Sequence, residues 1–216
     1  MDNMKKQWNV GILLFDHVDV LDYSGPFEVF SLTVREKSQV SELLMNTIKL
    51  EDKPFVVKTI SETGELVTTH NGLKLLPDYS FQSLGVELDL LIVPGGPLMA
   101  IKKGVKNKAL LNWIASQQKT GVIVASVCTG ALFLAESGIL DGYKATTNAF
   151  ALDYLEEKYR NIEVIRGVRF VDNGNVMTSA GVAAGIDMSL YIVGKLIGEE
   201  AAKITSTTIE YPYYKQ

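Results

Sequence analysis

The sequence predicts an α/β protein, a mostly parallel β-sheet sandwiched by helices, in a single domain spanning residues 1–216. Three observations carry this. Short runs with strand character alternate with helical patterns of about 10 to 15 residues along the whole chain, the order of βαβ units. Two of the runs, NVGILLF at Asn9 to Phe15 and LDLLIV at Leu88 to Val93, read as buried strands. Between Gly121 and Gly138 the chain reads strand, sharp turn, helix.

Each element follows from local chemistry. Asn9 to Phe15 is the first strand, and Asp16 to Asp19 its polar exit. Tyr23-Ser24-Gly25-Pro26 reads as a turn into a helix running to about Lys37, with Pro26 near the first helical position. Ser38 to Lys53 fits either a continuing helix or an excursion against a neighbouring subunit. Phe55 to Ile60 is a strand, and Asn71-Gly72 marks a hairpin within Leu66 to Leu75. Leu88 to Val93 stops at Pro94-Gly95-Gly96-Pro97, and Asn107 to Lys119 is an amphipathic helix. After the Gly121–Gly138 unit come a strand at Lys144 to Thr147, a helix at Phe150 to Tyr159, and strands at Ile162 to Ile165 and Val168 to Val171. Val176 to Ser179 pairs back on the last of these across the turn residues Asp172 to Asn175. Helices at Ala183 to Leu196 and Glu199 to Thr207 precede an aromatic tail with Tyr211, Tyr213 and Tyr214.

Composition narrows the function classes. The chain has 216 residues, 47% of them hydrophobic and 21% charged, enough apolar material for a full core. A formal net charge of −4 without a basic block argues against nucleic acid and anionic membrane surfaces as partners. One cysteine and two separated histidines, His17 and His70, offer no zinc-ligand spacing; no metal is expected, and no organic cofactor is expected either. The lone cysteine suits a reducing compartment, and the N-terminus lacks the cleavage pattern of a secretory signal. The expectation is a cytoplasmic protein.

The chemistry concentrates at Cys128. Small residues stand two before and two after it, Ser126 and Gly130, as a tight turn with one protruding side chain requires. A helix N-terminus there predicts a lowered thiol pKa. A buried cysteine serving as a small hydrophobe is the competing reading; the spacing and the strand-to-helix switch favour the nucleophile. Asp22 is the candidate proton partner, because a carboxylate beside a thiolate is tolerated only if one of the two holds a proton. From spacing alone Asp22 serves equally as an ordinary helix N-terminal acid. Gly95-Gly96, after a buried strand, lets backbone N–H groups face a ligand, and the N–H of Thr129 is a second donor.

These segments together resemble the ThiJ/PfpI superfamily. The residues are LLIVPGGP at Leu90 to Pro97, SVCTGALFLAESGIL at Ser126 to Leu140, ATT at Ala145 to Thr147 and GVAAGIDMSL at Gly181 to Leu190. The resemblance covers Val10 to about Glu210 and implies a flavodoxin-like fold with a nucleophile-elbow cysteine. LLFDHVDVLDYSGPFEVF and SVCTG resemble its isocyanide (isonitrile) hydratase branch. That resemblance implies Cys128 as nucleophile, Asp22 as acidic partner, Thr129 as a neighbour tuning the site, and the N–H groups of Gly96 and Thr129 as an anion pocket. It further implies a small-molecule substrate and a homodimer. Asn148 stands where the branch tends to carry a histidine, which leaves no histidine expected near the site, and Thr129 stands where protease-like members carry one. A Cys-His peptidase is therefore not expected. Besides isocyanide hydration, the thiol–carboxyl pair suits another small-electrophile enzyme acting on glyoxal-type aldehydes, or a redox-responsive role.

Overall fold

The computed structural model describes residues 7–212. Tyr213 and Tyr214 of the aromatic tail lie outside the described residues. The chain begins with β1 (Trp8–Leu13) and β2 (Phe55–Ser61), then a hairpin of β3 (Val67–Thr68) and β4 (Lys74–Leu75), then β5 (Tyr79–Ser80). β6 (Leu90–Val93) and β7 (Ile123–Ser126) follow; a side pair, β8 (Lys144–Ala145) and β9 (Glu163–Val164), precedes β10 (Phe170–Asp172) and β11 (Val176–Ser179). Seven strands form the main sheet in the order β10-β11-β7-β6-β1-β2-β5. Neighbours run parallel except β10 against β11. The helices are α1 (Val20–Ser31), α2 (Val40–Leu44), α3 (Leu98–Gly104), α4 (Lys108–Lys119), α5 (Ala131–Glu136), α6 (Leu152–Lys158), α7 (Ala184–Leu196) and α8 (Glu199–Thr208). This is the flavodoxin-like α/β arrangement.

The strands are apolar on consecutive residues because both sheet faces are covered. Successive side chains point to opposite faces. Val10, Ile12, Leu90, Ile92, Ala125 and Met177 pack with Phe30 of α1, Leu190 of α7 and Ala202 of α8. Leu13, Leu91, Val93, Val124 and Val176 pack on the other face with Ile101 of α3, Ile114 of α4 and Phe133 of α5. The parallel strands thus end together, and the loops after β1, β6 and β7 share one rim. Ligands of such sheets bind outside the carboxyl ends of the strands.

Several boundaries differ from expectation. α1 begins at Val20, and Pro26 lies inside it rather than at its first position. The helix accepts this because the proline forfeits a single backbone bond, the one to the Asp22 carbonyl. The early start brings Asp22 into the first turn. Ser38 to Lys53 forms two short 3-10 turns around α2, with Leu44, Met45 and Leu50 exposed. The Asn71-Gly72 hairpin is present, Gly72 supplying the positive φ of 86°. α3, directly after Pro97, has no expected counterpart; its seven residues are too few to show a helical period. β8 and β9 pair with each other outside the main sheet. Asp187, buried in α7, is held by the Arg169 guanidinium and by the Tyr211 hydroxyl, which donates to it at 3.2 Å. No helix among the described residues is long and apolar enough to cross a membrane.

Candidate functional site

β7 ends at Ser126, and Cys128 turns the chain into a 3-10 turn (Cys128–Gly130) that continues as α5. The Cys128 backbone sits at φ 57°, in the left-handed region that costs a non-glycine residue energy. Neighbouring backbone holds it there. The Cys128 N–H donates to the Ala180 carbonyl at 3.1 Å, and the Val127 N–H to the Val93 carbonyl at 3.0 Å. The Thr147 hydroxyl donates to the Cys128 carbonyl at 2.7 Å. The spacing rule has a steric origin: a Cβ on Gly130 would lie 2.1 Å from the Val93 carbonyl oxygen.

The loops after β1 and β6 close on this elbow. Gly95 donates its N–H to Asp22 Oδ2 at 3.0 Å. Asp22 is wholly buried, and its Oδ1 has no partner of good hydrogen-bond geometry among the described residues. The Cys128 sulfur nevertheless lies close enough to lower the carboxyl's pKa through a hydrogen bond. Asp22 and Cys128, 106 positions apart in sequence, are thus neighbours. Thr129 serves the frame: its hydroxyl accepts the Gly96 N–H at 2.9 Å and donates to the Gly96 carbonyl at 2.7 Å. The Gly96 N–H expected in an anion pocket is therefore engaged by Thr129 Oγ1. Both glycines are sterically required. A Cβ on Gly95 would meet Thr129 at 2.5 Å, and one on Gly96 the His17 carbonyl oxygen at 2.6 Å.

Burial governs the charges. Desolvation raises the Asp22 pKa to about 7, with the charge of Asp19 adding to it and the Gly95 N–H and Cys128 opposing. Burial likewise pushes the Cys128 thiol up to about 11, reinforced by Asp22. This corrects the lowered thiol pKa expected from a helix N-terminus. The N–H groups of Val182 and Thr129 do lower it, but desolvation and the carboxylate outweigh them. The pair therefore holds one proton between about pH 7 and about pH 11, with the thiol as its favoured site.

A stability prediction follows from Asp22. Its folded pKa lies above the ordinary value of 3.8, so the folded state binds the proton more tightly. Stability is then greatest below about pH 4 and falls as pH rises to about 7, by about 4 kcal/mol in all. Asp22→Asn is expected to remove this component and to exceed wild type in stability at pH 8. Urea denaturation of both proteins at pH 5 and pH 8 checks it; an unchanged pH dependence in the variant would contradict it.

Three groups favour the thiolate through hydrogen bonding and so lower the thiol's pKa: the N–H groups of Val182 and Thr129 and the side chain of Asn148. Val182 has a positive φ of 33° and gives no sign in the sequence of facing the thiol. Cys128 opens into a cleft of about 300 Å³ walled by Pro97, Leu98, Phe150, Ala151 and Val182, with Asp19 and His70 also in its lining. The expectation of no histidine near the site is corrected by His70. The β3–β4 hairpin folds back over the loop after β1, with His17 N–H on the Thr68 carbonyl at 2.7 Å and His70 N–H on the Val18 carbonyl at 3.0 Å. Asp19, expected as a solvated loop acid, is half-buried and reaches both the cleft and Asp22's field. Asp16 accepts the Thr68 N–H at 3.1 Å. Among the described residues, no three His, Cys, Asp or Glu side chains gather as a metal site.

A parallel sheet carrying a strained cysteine on a strand-to-helix elbow, with a buried carboxyl against its sulfur, defines an elbow-type α/β protein. The chain belongs to the DJ-1/PfpI family, which residues 9–195 match. It is 32% identical over 206 residues to the isonitrile hydratase of Pseudomonas putida, covering 94% of this chain and 78% of that protein. It is also 33% identical over 145 residues to the HTH-type transcriptional regulator CdhR of Pseudomonas aeruginosa, covering 66% of this chain and 41% of the regulator. Among solved structures, a ThiJ/PfpI family protein from Pseudomonas syringae superposes with a TM-score of 0.80 at 24% identity, covering all of this chain and 80% of that one. Drosophila melanogaster DJ-1beta superposes with a TM-score of 0.76 at 19% identity, covering 96% of this chain and all of that one. Both share the fold.

Proposed function

We propose that this protein hydrates isocyanides to N-substituted formamides, with Cys128 as nucleophile and Asp22 as the group that moves protons. The observation that carries this is the buried Asp22–Cys128 pair, which can hold a single proton and whose cysteine lines a small, largely apolar cleft. The relationship to an isonitrile hydratase over most of both chains supports it. Thr129 and Gly96 act as the frame that fixes the elbow, and the Thr129 N–H faces the sulfur. The protein acts as a cytoplasmic homodimer.

The chemistry needs one mobile proton. The proton, held by the Cys128 thiol in the resting pair, first passes to Asp22, and the thiolate so formed attacks the terminal isocyanide carbon and forms the S–C bond. The Asp22 proton passes to that carbon, leaving a neutral thioimidate, R–N=CH–S–Cys128, and an ionised Asp22. Asp22 next takes a proton from water as the water oxygen adds to the carbon, and delivers it to the nitrogen. Finally Asp22 removes the hydroxyl proton as the C–S bond breaks. The formamide leaves, and the proton returns from Asp22 to the Cys128 sulfur, restoring the resting pair. The cleft volume suits a compact hydrocarbon substituent, which Leu98, Phe150 and Val182 would flank.

The active form carries one proton on the pair, so its pH range follows from the two groups. Formamide production from cyclohexyl isocyanide is expected to rise through about pH 7 and to fall toward about pH 11. Cys128→Ala is expected to show none. Wild-type protein that is inert toward the isocyanide, yet alkylated at Cys128, would sink the hydratase reading.

A further inference from the structure

We propose that Asn148 is a catalytic residue of the Cys128 site, its side-chain amide donating to the sulfur and holding the thiolate with a donor that does not titrate. This rests on Cys128 being the nucleophile.

The orientation of Asn148 is fixed from both ends. Its backbone follows Thr146 and Thr147. The Thr146 N–H donates to Thr178 Oγ1 at 2.9 Å, and the Thr147 hydroxyl to the Cys128 carbonyl at 2.7 Å. Asn148 is thereby tied to the elbow itself. Its Oδ1 accepts the Phe150 N–H at 3.0 Å and so caps the 3-10 turn Ala149–Ala151. An amide has one oxygen, so this cap identifies Oδ1 and leaves Nδ2 to face the other way. Gly181 lies on that side, and Asn148 lines the same cleft as Cys128. A Cβ on Gly181 would stand 2.8 Å from Nδ2, so the glycine makes the room in which the amide approaches the sulfur. Gly181 carries no positive φ, and space is therefore what this position needs.

The same contact lowers the thiol's pKa, against burial and Asp22, alongside the N–H groups of Val182 and Thr129. All three donors are amides. None can take up or lose a proton between pH 5 and 11. Asn148 can therefore stabilise the sulfur as attacking group and as leaving group, but it cannot act as a base. Of the groups acting on the sulfur, Asp22 is the one that can carry a proton.

The test separates the donor from the cap. Asn148→Asp keeps an oxygen able to cap the turn and replaces the donor by an anion; Asn148→Ala removes both. Gly181→Ala leaves Asn148 intact and displaces its amide. The readout is the rate of Cys128 alkylation by iodoacetamide against pH, with thermal melting as the check on folding. Asn148→Asp is expected to shift the midpoint upward by at least one unit, a tenfold loss of rate at pH 8. Asn148→Ala and Gly181→Ala are expected to shift it the same way by a smaller amount. In wild-type protein the Asn148 side-chain NH2 resonances are expected to move when Cys128 is alkylated, and this measurement needs no variant to fold. Profiles within twofold of wild type in the folded variants, or NH2 resonances unmoved by alkylation, would overturn the proposal. The assay uses no isocyanide, so failure of hydration leaves this outcome readable.

Discussion

Asp22→Asn is expected to separate two properties of the site that usually fall together: isocyanide turnover drops by a factor of roughly 10² to 10⁴, while Cys128 becomes more reactive toward iodoacetamide at pH 8. Both effects come from one carboxyl. As the protein's proton carrier, Asp22 supplies the carbon with its hydrogen and activates the water, and asparagine does neither. As a buried neighbour, its ionised form opposes the thiolate and is one reason that the thiol is raised to about 11. Asparagine removes that opposition. It also keeps an oxygen to accept the Gly95 N–H, which Asp22 Oδ2 accepts at 3.0 Å, so the loop stays in place. Formamide production and alkylation rate, measured on the same preparation, check the pair of expectations. A variant slowed in both assays would mean that Asp22 activates the thiol. A variant that still turns over at the wild-type rate would remove Asp22 from the chemistry.

The parts of the site that are local in sequence are the parts that sequence reading reaches. Ser126 and Gly130 around Cys128 announce an elbow, because a tight turn admits only small residues at those positions. Pro94-Gly95-Gly96-Pro97 announces a close approach of backbone, and three clashes at 2.5 to 2.6 Å involving Gly95 and Gly96 are its physical content. The sheet is legible because strands buried on both faces lose their alternation. In sequence Asp22 reads equally as a proton partner and as a helix-end acid, since its pairing with Cys128 depends on where β1 and β7 lie in the sheet. His70 and Val182 were not visible. His70 reaches the cleft through a hairpin that folds over the loop after β1, and Val182 through a strained turn before α7. The thiol's pKa departs from the sequence expectation for the same reason. A helix N-terminus can be read from spacing, whereas burial against a carboxyl is a property of the assembled chain.

Gly130→Ala is expected to be the most damaging single-methyl change at the site. The reason is space, not backbone freedom. Gly130 has φ −56°, a value any residue adopts. Its missing Cβ would fall 2.1 Å from the Val93 carbonyl oxygen, 2.8 Å from the Pro94 oxygen and 2.9 Å from the Pro94 carbonyl carbon. These are backbone atoms at the end of β6, and no rotamer change relieves them. Val93 cannot retreat freely, because its carbonyl accepts the Val127 N–H and its residue pairs with Ser126 across the sheet. The elbow must move instead, which breaks the contacts that hold Cys128 at φ 57°. Overpacking in a filled core costs about 1–3 kcal/mol, and a clash with fixed backbone belongs at the upper end. For a chain of this size about 3 kcal/mol lowers the melting temperature by roughly 6–12 °C. Gly72→Ala is the control, since nothing lies within 4 Å of its Cβ and only its φ of 86° opposes the change. That substitution is expected to cost about 1 kcal/mol and to leave Cys128 alkylation unchanged. Melting curves and iodoacetamide rates for the two variants decide the matter. If Gly130→Ala melts with wild type and reacts at the same rate, the elbow has slack that these distances exclude.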